Sequence, residues 1–175
     1  NNIIYKILMK RMHDSQVNAC KKAIGVAPVT AYYIQKHYPA SINAIQSHYS
    51  SIELTDDFFY KPRTYPNEKE CLTIVHVANQ VQFNGRKGHI DLLNVLHILK
   101  KRNIVVKIVF IGEDYQCGIR KCKQLACELG IGSQVTFTGF LTYKDMRQQL
   151  LEGDIAVLPT KAEGLPRVVI EAMAM

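Results

Sequence analysis

Two stretches of the 175-residue chain combine residue types able to do chemistry on an anionic, polyhydroxylated ligand. The first runs Asn84-Gly85-Arg86-Lys87-Gly88-His89 and sets two cations where a helix begins. Backbone N–H groups and the helix dipole favour anions at such a place, so Arg86 and Lys87 suit a phosphate clamp. Taken alone, they fit a solvated basic turn that caps a helix better than a clamp. The second runs Thr160-Lys161-Ala162-Glu163-Gly164-Leu165-Pro166-Arg167 and continues to Glu171. Glu163 stands just before a helix and Glu171 lies further along it. The N–H groups of Gly164, Leu165 and Arg167 lie in the part of a helix start that lacks intrahelical acceptors. Two carboxylates so spaced fit two ends of one polyhydroxyl ligand, and are too far apart for a close acid/base pair on a single bond. A favourable acidic residue at a helix start, with a second Glu on its surface, is the plainer alternative.

These residues need elements to position them. From residue 72 onward short apolar runs alternate with helical patterns. Strands are expected at 72–78, 105–111, 135–137 and 155–158. Helices are expected at 88–102, 118–129, from Thr142 to Gly153, and from Pro166 onward, with Leu92, Leu93, Leu96 and Leu99 forming one stripe. Thr142 with Asp145 makes a capping-box-like start. This alternation predicts an α/β, Rossmann-like parallel sheet with helices on both faces. Ligands in such sheets bind beyond the carboxyl ends of the strands. The loops to inspect therefore follow Ala78, Ile111, Phe137 and Leu158. Before residue 72 the expectation is a helix over 3–23, a short strand at 24–27, a helix capped by Thr30 through His37, a strand at 51–54 and a linker over 56–69. The domains are accordingly 1–60 and 61–175.

The run Asp154-Ile155-Ala156-Val157-Leu158-Pro159-Thr160, then Glu163-Gly164-Leu165-Pro166 and Glu171-Ala172-Met173-Ala174, resembles the signature of family 4 glycosyltransferases. These are retaining, nucleotide-sugar-dependent enzymes of GT-B fold. Lys87-Gly88-His89, Ile111-Gly112-Glu113 and Val135-Thr136-Phe137-Thr138-Gly139 follow in the family's order. The resemblance covers roughly residues 25–175 and is strongest after 72. It implies transfer of a hexosyl-type group from a UDP- or GDP-sugar with retained configuration, in polysaccharide or glycolipid synthesis. Glu163 would contact hydroxyls of the donor sugar and Glu171 the ribose. Lys87 would neutralise the departing diphosphate, with Gly112 at the family's Ile-Gly turn. Backbone around Gly139 and Phe140 would receive the base. The family's Gly-Arg pair after the first strand of this domain is replaced by Ala78-Asn79-Gln80, which leaves Arg86 as the candidate second cation. By the same resemblance the chain is expected to be an interior piece of a longer enzyme. Residues 1–60 would be the end of an N-terminal acceptor domain, and the donor domain would be incomplete at its C-terminus. Such a piece is expected to be inactive alone and prone to associate.

Composition narrows the alternatives. At 47% hydrophobic and 21% charged, the chain is that of a folded domain, and no apolar run is long enough to span a bilayer. The net charge of +7 is uneven, since the first 50 residues hold six basic residues against Asp14 alone. That suits an anionic membrane surface or a phosphate-bearing ligand, or else a solvated helix face. No nucleic-acid recognition motif accompanies the charge. The five cysteines are read as reduced thiols, because steps of five between Cys117, Cys122 and Cys127 rotate about 140° on a helix. His89 is weighed as a phosphate ligand and His76 as structural. Tyr32, Tyr33, Phe58 and Phe59 are read as core or inter-domain contacts. No Asp-x-Asp occurs, in keeping with a metal-independent site. Partners are therefore a nucleotide sugar and a glycan or lipid-linked acceptor, and the setting is cytoplasmic or peripheral to the inner face of the membrane. The remaining alternative is a non-catalytic module that binds a nucleotide or nucleotide sugar. A phosphoacceptor receiver fails for want of an acidic pair after residue 78.

Overall fold

The computed structural model describes residues 3–30, 32–50, 52–59 and 71–175. The chain forms two compact units, residues 1–53 and 54–175. The boundary expected at 60/61 lies outside the described residues.

The first unit holds α1 (Ile3–Lys22), β1 (Gly25–Val26), α2 (Tyr33–His37) and β2 (Ile45–Gln46). The cap of α2 is Tyr32 and not Thr30, although Thr30 Oγ1 still accepts the Ile34 N–H at 3.0 Å. No strand forms over 52–54 of the expected 51–54, where residues 52–55 are irregular and Ser51 lies outside the described residues. The partner of β1 is instead β2, parallel, with Gly25 opposite Ile45. Ile45 is the sole apolar residue of β2, so hydropathy gives little sign of the strand, which rests on backbone pairing. Tyr32 and Tyr33 are exposed and Phe59 is largely so, whereas Phe58 is buried.

In the second unit a short 3-10 turn at Asp56–Phe58 precedes β3 (Leu72–Val81), α3 (His89–Lys101), β4 (Val106–Asp114), α4 (Gly118–Glu128), a 3-10 turn (Gly132–Gln134), β5 (Val135–Gly139), α5 (Tyr143–Glu152), β6 (Ile155–Ala156) and α6 (Arg167–Met173). The sheet is parallel throughout, in the order β5-β4-β3-β6. Side chains alternate between its faces. Ile108 and Phe110 join Leu92, Leu93 and Leu96 of α3 and Cys122 and Ala126 of α4 on one side. Val75 and Ile111 join Met146 and Leu150 of α5, with Val168 and Ala172 of α6, on the other. Both faces are thus covered, which explains why the strands read as nearly unbroken apolar runs.

Three strands outrun their expected ends, β5 by running to Gly139. β3 continues through Asn79 and Gln80 to Val81, and β4 through Gly112 to Asp114. The ladder between them slips between Val77 and Gln80. There a Cβ on Gly112 would stand 2.3 Å from the Ala78 carbonyl oxygen, so glycine alone lets the strands approach. α5 begins as expected, with Thr142 Oγ1 accepting the Asp145 N–H at 3.2 Å. Pro166 occupies the cap of α6, one position before its first helical residue. Phe58 packs against α5, with the Arg147 guanidinium 4.2 Å from its ring centre and the Tyr143 ring 5.5 Å away. Cys122 is buried in α4 while Cys117 and Cys127 are exposed, and all five thiols are free.

Phe110 is wholly buried between the helices and β5, with Phe137 stacked on it. Truncating it to alanine leaves a large cavity, so Phe110→Ala should destabilise the protein by roughly 3–5 kcal/mol. Thr142→Ala removes one cap and should cost about 1 kcal/mol. Urea unfolding of both variants checks the ranking.

Candidate functional site

The carboxyl ends of β3 and β6, the turn after β5 and the first turns of α5 and α6 enclose a cleft of about 500 Å³. Its wall carries Val77, Ala78 and Asn79 from β3, Phe140 and Leu141 after β5, Tyr143 and Met146 from α5, and Leu158 after β6. Lys87 enters from the loop before α3. Glu163, Leu165, Arg167 and Glu171 enter from the β6–α6 loop and α6.

Three contacts fasten the loop before α3 to the loop after β6. Gly88 caps α3 in a left-handed conformation (φ +77°). A Cβ there would lie 2.5 Å from the Pro159 oxygen, so any side chain would force the loops apart. The Lys161 N–H donates to the Arg86 carbonyl at 3.0 Å. The Lys87 ammonium hydrogen-bonds the Glu163 carboxylate. That bond holds the Glu163 carboxyl below the usual carboxylate range against the upward push of burial, helped by the Lys87 charge and, less, by Thr160 and Arg86. Glu163 therefore stays ionised and keeps acceptor capacity toward the cleft.

Glu171 is a different carboxylate. It is 5% exposed, and its nearest cation is the Arg167 guanidinium one helical turn back at 3.8 Å. A carboxylate so placed is costly unless donors reach it. The cleft holds it where ligand hydroxyls can do so.

Of the residues singled out from the sequence, Lys87, Phe140, Glu163, Leu165, Arg167 and Glu171 share this cleft wall. Arg86, Gly112, Gly139 and Gly164 do not line it. Arg86 is exposed and contributes its carbonyl to the loop contact. Gly112 is buried against Ala78 and serves the strand packing. Gly139 ends β5 in a left-handed turn (φ +73°), and Gly164 lies open at the surface. His89 is 1% exposed and its ring faces His76 and Phe110, so it is no surface ligand. Sequence reasoning missed Asn79, Tyr143 and Met146. The Thr142 cap was the available signal for the last two, because a helix that opens just past a strand's carboxyl end sets its first turn in the cleft. Among the described residues no group of three or more His, Cys, Asp or Glu could hold a metal ion. No helix of the described residues is long and apolar enough to cross a membrane.

Gly88→Ala forces an L-residue into a left-handed conformation and against Pro159. It should destabilise by roughly 1–3 kcal/mol. Gly164→Ala meets nothing within 4 Å and should stay within about 0.5 kcal/mol of wild type. Thermal unfolding of both variants tests the contrast.

Comparison with known proteins places this cleft in context. EpsF of Bacillus subtilis (strain 168), named as a glycosyltransferase, is 34% identical over 103 residues, which are 59% of this chain and 25% of EpsF. Among solved structures, Anabaena HepE in complex with UDP superposes with a TM-score of 0.69 at 18% identity, covering 94% of this chain and 46% of that one. Sucrose-phosphate synthase from Thermosynechococcus elongatus gives 0.68 at 17% identity, over 94% and 42%. WaaG, a glycosyltransferase involved in lipopolysaccharide biosynthesis, gives 0.66 at 20% identity, over 99% and 49%. At these identities the likeness is one of fold, the α/β parallel sheet of GT-B glycosyltransferases. The chain spans a quarter of EpsF and less than half of each of these structures. The family model described as glycosyl transferases group 1 matches residues 66–175, the greater part of the chain, and the chain belongs to that family.

Proposed function

We propose that residues 61–175 bind the nucleotide-sugar donor of a retaining, family 4 glycosyltransferase, and that residues 1–60 form the end of its acceptor domain. The observation that carries this reading is the convergence of Lys87, Glu163 and Glu171 on one cleft at the carboxyl end of a parallel sheet. The three come from distant places in the sequence, and each suits a different part of one ligand.

Negative charge builds on the diphosphate as the bond to the sugar breaks, and a fixed cation there lowers the barrier. Lys87 is that cation. Its ion pair with Glu163 keeps it in place before the donor arrives. Glu163, held ionised, accepts from the sugar hydroxyls, and the buried Glu171 accepts from the ribose. Phe140, with Gly139, turns the chain past β5 where the base would lie. The donor is a UDP- or GDP-sugar; HepE was solved with UDP, which favours UDP as the first ligand to try. No metal ion enters this reading. The acceptor is a glycan or lipid-linked glycan, and the pathway is polysaccharide or glycolipid synthesis. Along α1 the apolar residues Ile3, Ile4, Ile7 and Leu8 are exposed among Lys6, Lys10 and Arg11, a composition that suits an anionic membrane surface at the cytoplasmic face.

A second reading has a specific basis. Asn79 stands on the cleft wall near the place of the family's Arg, and Arg86 lies off the wall. With Lys87 as the one cation contributed by that loop, the chain would serve as a binding module without turnover.

Calorimetric titration with UDP, GDP and ADP tests both readings, and a transfer assay separates them. Glu171→Ala should weaken nucleoside diphosphate binding by roughly 1.5–3 kcal/mol, the range for hydrogen bonds to charged groups. Glu163→Ala should affect the nucleotide sugar more than the bare nucleotide. Equal losses for both ligands in both variants would refute the division of roles. Lys87→Ala should lower affinity for diphosphates far more than for nucleosides, and the loss should shrink at high salt. Unchanged affinity would remove Lys87 from the clamp.

A further inference from the structure

Two histidines are closed off from solvent among the elements that carry the cleft. His76 on β3 is 0% exposed and His89 in the first turn of α3 is 1% exposed. Their rings meet edge-on, 4.9 Å between centres. Phe110 lies 5.6 Å from the His76 ring and 5.5 Å from the His89 ring, and Phe137 stacks on Phe110. His76 Nδ1 is 2.9 Å from the Val157 carbonyl oxygen. A carbonyl only accepts, so Nδ1 bears the proton and Nε2 is left with a lone pair. His76 Nε2 and both ring nitrogens of His89 have no hydrogen-bond partner among the described residues.

The pair joins three elements that meet at the site. His89 directly follows Lys87 and Gly88. His76 holds Val157, from which the chain runs through Pro159 to Lys161 and Glu163. The charged group facing the pair is Lys87, from the loop before α3, and each histidine faces the other. β4 meets the pair with Phe110, and Phe137 of β5 stacks on that ring. Glu163, on the loop after β6, is bound to Lys87.

We propose that His76 and His89 are positioning residues: as a neutral pair they hold the start of α3 against the loop after β6, and protonation of the pair releases that contact. A proton on either ring would put a cation in an aromatic enclosure beside Lys87. Lifting the first turn of α3 exposes the ring and relieves this, and it carries Gly88 off Pro159 and Lys87 off Glu163. Burial, the neighbouring histidine and Lys87 together hold His89 down to about 4 from an ordinary 6.5, and burial lowers His76 as well. The closed form thus binds fewer protons than the open one. Its advantage is complete above about pH 6.5 and drains away as the pH falls toward 4.

The Lys161 N–H, bonded to the Arg86 carbonyl, reports the contact without any ligand. Its protection against amide exchange should fall about 30-fold between pH 7.5 and 5 for a ring that titrates at 4 when closed and 6.5 when open. In His89→Leu, with His76 alone left to titrate, the fall should shrink, and in a variant carrying both His76→Leu and His89→Leu the factor should stay nearly flat. NMR titration of the wild-type rings supplies a second reading, with the His89 midpoint expected near 4. Protection that persists to pH 5, a parallel loss in the double variant, or a His89 midpoint above 6 would each overturn the proposal. The functional consequence rests on the donor-cleft reading: calorimetric UDP affinity should fall over the same pH range. Loss of Lys161 protection in wild type and not in the double variant, with neither UDP nor GDP binding at any pH, would support the positioning role and refute the donor reading.

Discussion

The cleft depends on one close approach, the backbone of Gly88 against Pro159. Two loops from opposite ends of the domain sequence meet there with no side chain between them. Because they meet, Lys161 can donate to Arg86 and Lys87 can reach Glu163. A side chain at position 88 would separate the cation from the carboxylate, however well the sheet beneath were formed. The sheet sets where the loops emerge, and the missing Cβ sets how near they come.

The two carboxylates of the cleft illustrate how local surroundings divide labour between like groups. Glu163 sits on a loop, partly open to solvent, with a lysine to stabilise its charge. Glu171 is enclosed on a helix, and its cation stands 3.8 Å off. The first is stable in its charged form without ligand. The second is shut off from water, so any donor that reaches it counts for more. Residue type alone would not distinguish them.

Much of the second unit was legible because its physics is local. Apolar runs four to seven residues long, separated by helical stripes such as Leu92, Leu93 and Leu96, can only be buried strands and their covering helices. Thr142 and Asp145 marked a helix start by their own chemistry. The cleft residues near the signature were legible for the same reason: glycine, proline and two glutamates at fixed spacing. What could not be read depended on distant partners. β2 exists because β1 needs a parallel neighbour, and only Ile45 hints at it. The burial of His89 follows from His76 and Phe110, contributed by strands that the adjacent Lys87-Gly88 does not reveal. Gly112 serves strand contact rather than the cleft because the Ala78 carbonyl stands opposite, a fact of register.

The seat of Phe58 has a consequence for where the molecule can be divided. Its ring lies under Arg147 and beside Tyr143, and Tyr143 also forms part of the cleft wall. The turn at Asp56–Phe58 is therefore a structural piece of the second unit, although it precedes the first strand of the sheet by more than a dozen residues. A gene fragment opened after residue 60 would strip an aromatic plug from α5 and wet the back of the tyrosine that borders the cleft. One opened ahead of Leu54 would carry the plug with it.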